Sequence, residues 1–281
     1  LLMISSKKYV DETLRNNNLT ANKALGQNFL VDEDIAKEIV SKANINKNSY
    51  VIEIGPGLGA LSEIIATKTN CFKMYEIDKN MVNILNETFK EYKNVSITNI
   101  DFLKVDIEKL ISDANNQGYN DIIIISNLPY YITSKLLNKI LINNLKINTF
   151  IAMMQKEVGQ KIIKPDKKDL NPLSIILKYQ YDVEIIKYVS KNSYLPRPNI
   201  DSVVLKFSKT APKYNCSFNS LVSLLDIIFK NRRKTIYNNL KIIFKNNDDL
   251  LNCLNKVNID PTLRVEQLNM DDIVSLANEI F

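Results

Sequence analysis

The stretch Tyr50-Val51-Ile52-Glu53-Ile54-Gly55-Pro56-Gly57-Leu58-Gly59-Ala60 decides the fold of this 281-residue chain. Its first five residues are mainly apolar and predict a strand. The glycines after them permit a tight turn and let the backbone approach a ligand closely. A helix to about Thr67 is expected next. A strand, a glycine-rich turn and a helix in this order form the ligand-binding start of a Rossmann-like unit.

The alternation of strands and helices continues to residue 207 and predicts an α/β fold, a parallel sheet covered on both faces. This part of the chain is interpreted as one domain, residues 23–211, preceded by an N-terminal arm, residues 1–22. Strands are predicted at about 50–54, 95–98, 122–126, 149–155, 183–189 and 202–207, with a further strand that ends at 74–78. Helices are predicted from just after residue 60 to about 67 and at about 33–43, 79–90, 106–114, 132–142, 156–163 and 172–180.

The character of the sequence changes after Pro212. Apolar residues from Phe218 to Phe229 fall at helical spacing, and the basic residues from Lys230 to Lys241 are expected to continue on one helical face. Further helices are predicted at 248–257 and 270–280. Residues 212–281 are therefore predicted to form a small all-helical domain.

Composition excludes several classes of chemistry. The chain has no histidine, so it contains neither a Ser-His-Asp triad nor an HExxH zinc site. Its cysteines, Cys71, Cys216 and Cys253, are far apart and lack metal-ligand spacing, so we expect no bound metal and reduced thiols in a cytoplasmic protein. No apolar run approaches the roughly 20 residues of a membrane span, and no membrane association is expected.

Positive charge is concentrated near one end of the chain. Between Lys206 and Lys245 there are nine basic residues and one acid, a net charge of +8, although the whole chain carries only +6. Such asymmetry favours a polyanionic partner. A solvated basic helix surface is the simpler alternative.

Two carboxylates occur at the ends of the second and third predicted strands. Glu76 lies 21 residues after Gly55, where an acid can accept hydrogen bonds from ribose hydroxyls. Asp101 follows the next strand and suits an adenine amine. The glycine turn and Glu76 also fit a dinucleotide site, so NAD is a competing ligand. Asp101, together with the segment after the fourth strand, favours S-adenosylmethionine.

The segment Asn127-Leu128-Pro129-Tyr130 follows the apolar run of the fourth strand, at the edge where open α/β sheets place ligands. We expect the Asn127 side-chain oxygen and the Pro129 carbonyl to accept hydrogen bonds from an adenine amine, with Tyr130 stacking on the ring. These contacts would direct the nitrogen lone pair at the methyl group. Such chemistry depends on positioning and needs no strong base.

In combination these motifs resemble those of the ribosomal RNA adenine N6,N6-dimethyltransferases of the bacterial small-subunit (KsgA-like) type. The resemblance runs from about Lys23 to the end of the chain. It implies a Rossmann-like class I S-adenosylmethionine-dependent methyltransferase with a small all-helical C-terminal domain. The motifs that carry it are Leu25-Gly26-Gln27-Asn28-Phe29-Leu30, Glu53-Ile54-Gly55-Pro56-Gly57-Leu58-Gly59, Asn127-Leu128-Pro129-Tyr130, Gln155-Lys156-Glu157-Val158 and Phe229-Lys230-Asn231-Arg232-Arg233-Lys234-Thr235.

The resemblance implies dimethylation of two adjacent adenosines near the 3′ end of small-subunit (16S) rRNA, in a pre-assembled small ribosomal subunit, with a late role in subunit biogenesis. A monomer is expected. The cofactor site it implies consists of Asn28, Leu30, Gly55, Glu76, Asp101 and Asn127, and the residues from Asn127 to Tyr130 would hold the target adenine. The RNA contacts expected on this basis are Tyr194, Lys230, Arg232, Arg233 and Lys234.

Three residues depart from the usual pattern of the family. Tyr131 stands where Asn is common, Ser126 where Gly often precedes the Asn, and Tyr194 where many members have a Phe thought to face the target base. Tyr131 and Ser126 are expected to affect the width of the pocket mouth. Tyr194 keeps an aromatic face.

Other functions remain open from the sequence. One is the macrolide-resistance type of methyltransferase, which modifies an adenine of large-subunit rRNA. Another is a non-catalytic rRNA-binding assembly factor on the same fold, although the intact Asn127–Tyr130 segment argues against it. A small-molecule methyltransferase would have no need of the basic helical domain.

Overall fold

The computed structural model describes residues 3–165 and 169–281. They form two compact units. The first contains the described residues up to Gln160 together with Asp182–Lys209, and the second contains the described residues from Lys161 to Tyr181 together with Thr210–Phe281. Residues 161–181, which the sequence grouped with the first domain, thus cluster with the C-terminal helices.

A seven-stranded sheet forms the centre of the first unit. Its strands are β2 (Ser49–Ile54), β3 (Cys71–Glu76), β4 (Val95–Asn99), β5 (Asp121–Asn127), β6 (Thr149–Gln155), β7 (Tyr181–Val189) and β9 (Ser202–Lys209). They lie in the order β4-β3-β2-β5-β6-β9-β7. The strands from β4 to β6 in this order are parallel to their neighbours, whereas β9 runs antiparallel to β6. A separate two-stranded pair joins β1 (Phe29–Leu30) to β8 (Tyr194–Leu195).

The strands β2, β5 and β6 are central because their residues are apolar on both faces. Ile122 to Ile125 are all 0–1% exposed. Parallel strands covered on both sides have this continuous apolar pattern. The register pairs Ile54 with Ser126 and Asn127 with Met153, so the carboxyl ends of these strands lie at one edge of the sheet.

The helices that begin in the first unit are α1 (Lys7–Asn16), α2 (Glu33–Lys42), α3 (Ser62–Ile65), α4 (Lys79–Thr88), α5 (Ile107–Asn116), α6 (Thr133–Leu141) and α7 (Lys156–Ile163). Several of them start at side-chain caps. Asp32 accepts the backbone N–H of Ile35 and starts α2, and Asp78 accepts that of Asn80 and starts α4.

The second unit is helical in its described part. Its helices are α8 (Pro172–Gln180), α9 (Phe218–Ile228), α10 (Ile236–Leu240), α11 (Asn247–Lys256) and α12 (Met270–Ile280). Helix α9 packs against α8, α10 and α12. Its apolar face is fully buried, with Leu221, Leu224 and Ile228 all 0% exposed. The predicted C-terminal helices are thus present.

Three expectations need correction. The sheet is mixed, because β9 inserts antiparallel beside β6. The alternation of strands and helices predicts parallel neighbours, but among the described residues no α-helix separates β7 from β9, so that signal does not extend to this part of the chain. The helix after the glycine turn is only Ser62–Ile65. The predicted continuous basic helix is broken, since α9 ends at Ile228 and α10 starts at Ile236 after a Thr235 cap.

Within residues 3–165 and 169–281, none of the helices combines the length and apolar character that a membrane crossing requires. The same residues contain no group of three or more cysteine, aspartate and glutamate side chains arranged to hold a metal ion.

Candidate active site

A pocket opens at the carboxyl ends of β2, β3 and β5, within the first unit. It encloses about 1090 Å³ of space, including a part that is open to solvent. Its lining includes each residue predicted for the cofactor and for the target base except Tyr194: Asn28, Leu30, Gly55, Glu76, Asp101, Asn127, Pro129 and Tyr130.

The glycine turn borders the pocket in a conformation that requires glycine. Gly55 and Gly57 have φ values of +66° and +59°, in the left-handed region that residues with a Cβ rarely adopt. A Cβ built on Gly55 meets no heavy atom within 4 Å, whereas one on Gly57 would lie 3.2 Å from the Phe29 ring. The turn therefore leaves open space beside Gly55, whereas at Gly57 it lies against the Phe29 ring.

Glu76 is the carboxylate at the end of β3, and it is only 5% exposed. Its Oε2 accepts the Gly57 N–H at 3.1 Å and its Oε1 accepts the Asp78 N–H at 2.9 Å. Burial raises the pKa of Glu76, and these backbone hydrogen bonds oppose that rise. The side chain is thereby fixed between the glycine turn and the start of α4.

Glu53 is a second buried carboxyl group of the pocket, and no role is predicted for it from the sequence. It is 2% exposed and accepts a hydrogen bond from the Ser62 hydroxyl at 2.5 Å. Burial, with a contribution from the charge of Glu76, raises the pKa of Glu53 to about 8. An acid inside an otherwise apolar strand was the available signal, but the strand pattern alone does not reveal the burial.

Asp101 follows β4 and caps the short helical turn at 102–104 by accepting the Leu103 N–H at 2.9 Å. The residues next to the two site acids, Ile77 and Phe102, also line the pocket. Ile77 is unusual for a large apolar residue in being 44% exposed. Sequence reasoning missed Ile77 and Phe102, although their positions directly after the two site acids could have identified them as pocket residues.

Asn127 is the last residue of β5, and its side chain is oriented by a contact across the pocket. Its Nδ2 donates to the backbone oxygen of Asn28 at 3.2 Å. This contact uses the donor side of the amide and leaves the Asn127 Oδ1 available as an acceptor.

Ser126 points elsewhere: it is buried, does not line the pocket, and donates to the Ile54 backbone oxygen at 2.6 Å. Its expected effect on the pocket mouth is therefore absent in this structure.

The Pro129 carbonyl has a different role from the one expected. It accepts the Ile132 N–H at 3.2 Å and the Thr133 hydroxyl at 3.1 Å, and so stabilises the start of α6. Two hydrogen bonds use both lone pairs of a carbonyl oxygen. The Leu128 carbonyl, one residue earlier, accepts no hydrogen bond from the described residues, and Leu128 also lines the pocket.

Tyr130 is half-buried, and its hydroxyl lies 2.8 Å from that of Ser202 on β9. Burial raises the pKa of Tyr130, which keeps the phenol neutral. Tyr194, by contrast, is 3% exposed and lies outside the pocket lining, with its hydroxyl donating to the Met153 sulfur at 2.8 Å. The expected stacking of Tyr194 on a target base stays a prediction.

The 23–30 segment crosses the pocket and is held to it by polar contacts from distant parts of the chain. Gln27 Nε2 donates to Asp78 Oδ2 at 2.7 Å, while Gln27 Oε1 accepts the Asn22 N–H. Leu30 is 2% exposed and pairs with Tyr194 between β1 and β8. These contacts explain why Gln, Asn and an apolar pair follow one another in this segment.

The predicted RNA-contact residues of the second unit lie in the turn between α9 and α10. Lys230, Arg233 and Lys234 lie largely at the surface of this turn. Arg232 has its guanidinium 5.9 Å from the centre of the Phe229 ring. The turn therefore presents a cluster of cations instead of the expected single helical face.

Comparison with known proteins gives a consistent result. The model of the family "Ribosomal RNA adenine dimethylase" matches residues 18–281. A protein of Lysinibacillus sphaericus named ribosomal RNA small subunit methyltransferase A is 39% identical over 277 residues, covering 96% of this chain and 94% of that protein. The protein of the same name from Bacillus thuringiensis is 38% identical over 266 residues, covering 92% of this chain and 90% of its own length.

Solved structures share the fold at lower identity. A dimethyladenosine transferase from Plasmodium falciparum has a TM-score of 0.70 and 22% identity, covering 88% of this chain and 95% of that one. The 23S rRNA methyltransferase ErmE has a TM-score of 0.65 and 20% identity, covering 90% of this chain and 99% of that one.

Proposed function

The chain belongs to the ribosomal RNA adenine dimethylase family, and we propose that it transfers methyl groups from S-adenosylmethionine to N6 of two adjacent adenosines near the 3′ end of 16S rRNA. The family model supplies the adenine dimethylase activity, and the relatives at 38–39% identity, which are named ribosomal RNA small subunit methyltransferase A, supply the small-subunit type. The observation that carries the finer proposal is the pocket that unites the glycine turn, Glu76, Asp101 and Asn127.

The residues of the pocket fit S-adenosylmethionine. The Glu76 carboxylate is fixed by two backbone N–H groups and suits ribose hydroxyls, while the second carboxylate oxygen of Asp101 suits an amine on a base. The open space beside Gly55 admits a ligand against the backbone. When bound, the cofactor supplies an electrophilic methyl group on a sulfonium centre.

The Asn127–Tyr130 segment is proposed to hold the target adenine. Because the Asn127 amide is oriented by the Asn28 backbone, its Oδ1 can accept from the N6 amine without reorganisation. The Leu128 carbonyl is the more suitable second acceptor, since the Pro129 carbonyl is used by Ile132 and Thr133. Tyr130 offers a ring face whose position is fixed by Ser202.

Proton transfer needs no histidine in this scheme. Two acceptors at N6 draw the lone pair of the amine out of the ring, and the methylated nitrogen then releases its proton to water. Tyr130 stays neutral because burial raises its pKa, so its role is contact with the base. An adenine within folded RNA must leave its stack to enter such a pocket.

The RNA partner is proposed to be rRNA within a pre-assembled small subunit. The cations Lys230, Arg233 and Lys234, with Arg232, supply positive charge for phosphate contacts. Tyr194 would reach a target base only if its ring left the buried position beside Met153. A monomer is the expected form of the enzyme.

The experiment is methyl transfer to small subunits that lack dimethylated adenosines, with large subunits as a parallel substrate. We expect wild-type protein to modify the small subunit alone, and Asn127→Ala to lose at least about 100-fold in rate, the size of a missing transition-state hydrogen-bonding group. RNA affinity should stay within about twofold. Asn143→Ala, at an exposed asparagine outside the pocket lining, serves as the matched control and should keep the wild-type rate. Wild-type activity in Asn127→Ala would disprove the amine contact, and transfer only to the large subunit would disprove the substrate.

A further inference from the structure

Tyr131 combines exposure with a place in the pocket wall. It follows the Asn127–Tyr130 segment directly and is 53% exposed, yet it lines the same pocket as Glu76 and Asp101. A large aromatic side chain that stays half-exposed at the mouth of a cavity loses its contact with water when a ligand covers it. Such residues commonly supply binding energy to the ligand.

The Tyr131 ring packs against the backbone of the 23–30 segment. A Cβ on Gly26 would lie 3.4 Å from Tyr131 Cδ1 and 3.6 Å from Cε1, so the ring lies directly against this glycine. Gly26 has a φ of +63°, a conformation that favours glycine. The ring therefore joins the Asn127–Tyr130 segment to the 23–30 segment, and both segments line the pocket.

Tyr131 lines the pocket together with the carboxylates of Glu76 and Asp101, and their charges act on its phenol. Burial raises the pKa of the Tyr131 phenol, and the negative charges of Asp101 and Glu76 raise it further. Glu76 ends β3 and Asp101 follows β4, whereas the Asn127 amide lies at the end of β5. Tyr131 thus shares a pocket wall with the acids expected to hold the adenosine half of the cofactor.

The 23–30 segment makes four contacts with residues in and beside the pocket, and Tyr131 is the exposed residue among them. Phe29 lies against Gly57, Gln27 is bonded to Asp78, and Asn28 is bonded to Asn127. Phe29 is 6% exposed. Among these contacts, the one at Tyr131 is made by a solvent-exposed ring, with 53% of the residue exposed.

We propose that Tyr131 is a positioning residue for S-adenosylmethionine, whose ring closes the pocket mouth between Gly26 and the two carboxylates and retains the adenosine half of the cofactor. The inference rests on the proposed function, because it requires that the pocket binds this cofactor. It assigns a role to a residue that follows the base-holding segment but serves the cofactor. The ring, more than the hydroxyl, carries the effect.

The test is calorimetric binding of S-adenosylhomocysteine in the absence of RNA, with stopped-flow dissociation as the second readout. Tyr131→Ala should raise the dissociation constant about tenfold, which is about 1.4 kcal/mol, mainly through faster dissociation. Tyr131→Phe keeps the ring and should stay within about twofold. Tyr188→Ala is the matched control, since Tyr188 is 50% exposed and lies outside the pocket lining.

The outcomes separate this inference from the function on which it rests. Wild-type protein that does not bind S-adenosylhomocysteine would overturn the proposed cofactor and this role together. Normal wild-type binding with an unchanged dissociation constant in Tyr131→Ala would overturn the role of Tyr131 alone. A rise in the Michaelis constant for the small subunit without a change in cofactor affinity would make Tyr131 an RNA contact, which also contradicts the inference.

Discussion

Replacement of Glu53 by glutamine should remove a pH-dependent loss of stability. Glu53 is 2% exposed in β2, and its carboxyl group accepts the Ser62 hydroxyl. Burial and the nearby charge of Glu76 raise its pKa from 4.5 to about 8. The glutamine side chain would keep the volume and an acceptor oxygen for Ser62 but would not ionise.

The magnitude is set by the proton that the folded protein retains. In the unfolded chain Glu53 ionises near its ordinary pKa, whereas in the folded protein it stays protonated until about pH 8. The folded state thus binds more protons in this range, and stability falls as pH rises by about 1.4 kcal/mol per unit. From pH 6 to pH 8 the wild-type protein should lose about 2 kcal/mol relative to Glu53→Gln, and the difference should level off above pH 8.

The assay is urea unfolding of both proteins at pH 6 and pH 8, followed by carbon NMR of the Glu53 carboxyl group across the same range. Glu87→Gln is the matched control, because the Glu87 side chain is 82% exposed on α4 and should give no pH-dependent difference. A stability difference between wild type and Glu53→Gln that is constant from pH 6 to pH 8, or a carboxyl midpoint below about 6, would refute the reasoning.

Two further predictions concern the pocket and the basic turn. Gly57→Ala places a Cβ at a φ of +59° and 3.2 Å from the Phe29 ring. It should weaken S-adenosylhomocysteine binding about tenfold, as measured by calorimetry. Gly118→Ala is the control for backbone strain alone, because Gly118 has a φ of +89° and a Cβ there would meet no atom within 4 Å. Equal decreases in affinity in the two variants would contradict it. Neutralising Arg232, Arg233 and Lys234 should reduce the salt slope of rRNA binding, which is the dependence of the logarithm of affinity on the logarithm of salt concentration. The reduction should be about one for each phosphate that the protein no longer neutralises. Lys256→Gln is the control and should leave the slope unchanged, because Lys256 pairs with Glu279 at 2.8 Å. An unaltered slope in the triple variant would exclude those phosphate interactions.

The local patterns of the chain predicted most elements of the fold. The helices and strands at 149–155, 156–163, 172–180 and 270–280 are confirmed with the bounds expected. Periodicity suffices there because one face, or the whole strand, is buried. It failed after Ile228, where the expected helix gives way to a turn and a new helix begins only after the Thr235 cap.

The sequence by itself determined which predicted acidic and amide groups meet in the pocket. The glycine turn, Glu76, Asp101 and Asn127 each lie at or just after the end of a strand, and parallel strands bring their carboxyl ends to one edge, so the order of motifs was enough to assemble them. The family likewise follows from the motifs, which the comparisons confirm. No long-range contact had to be known for these conclusions.

Only the tertiary structure decided how those groups are held. The bond from Asn127 to the Asn28 backbone joins residues 99 positions apart, and the contact of Tyr131 with Gly26 spans a similar distance along the chain. The Pro129 carbonyl is occupied because it accepts hydrogen bonds from nearby groups such as the Thr133 hydroxyl, and the pKa of Glu53 is raised because burial excludes water from its carboxyl group. Burial and partner geometry are properties of the packed chain, and therefore the glycine turn could indicate a nucleotide pocket but could not reveal which atoms inside it remain free for a ligand.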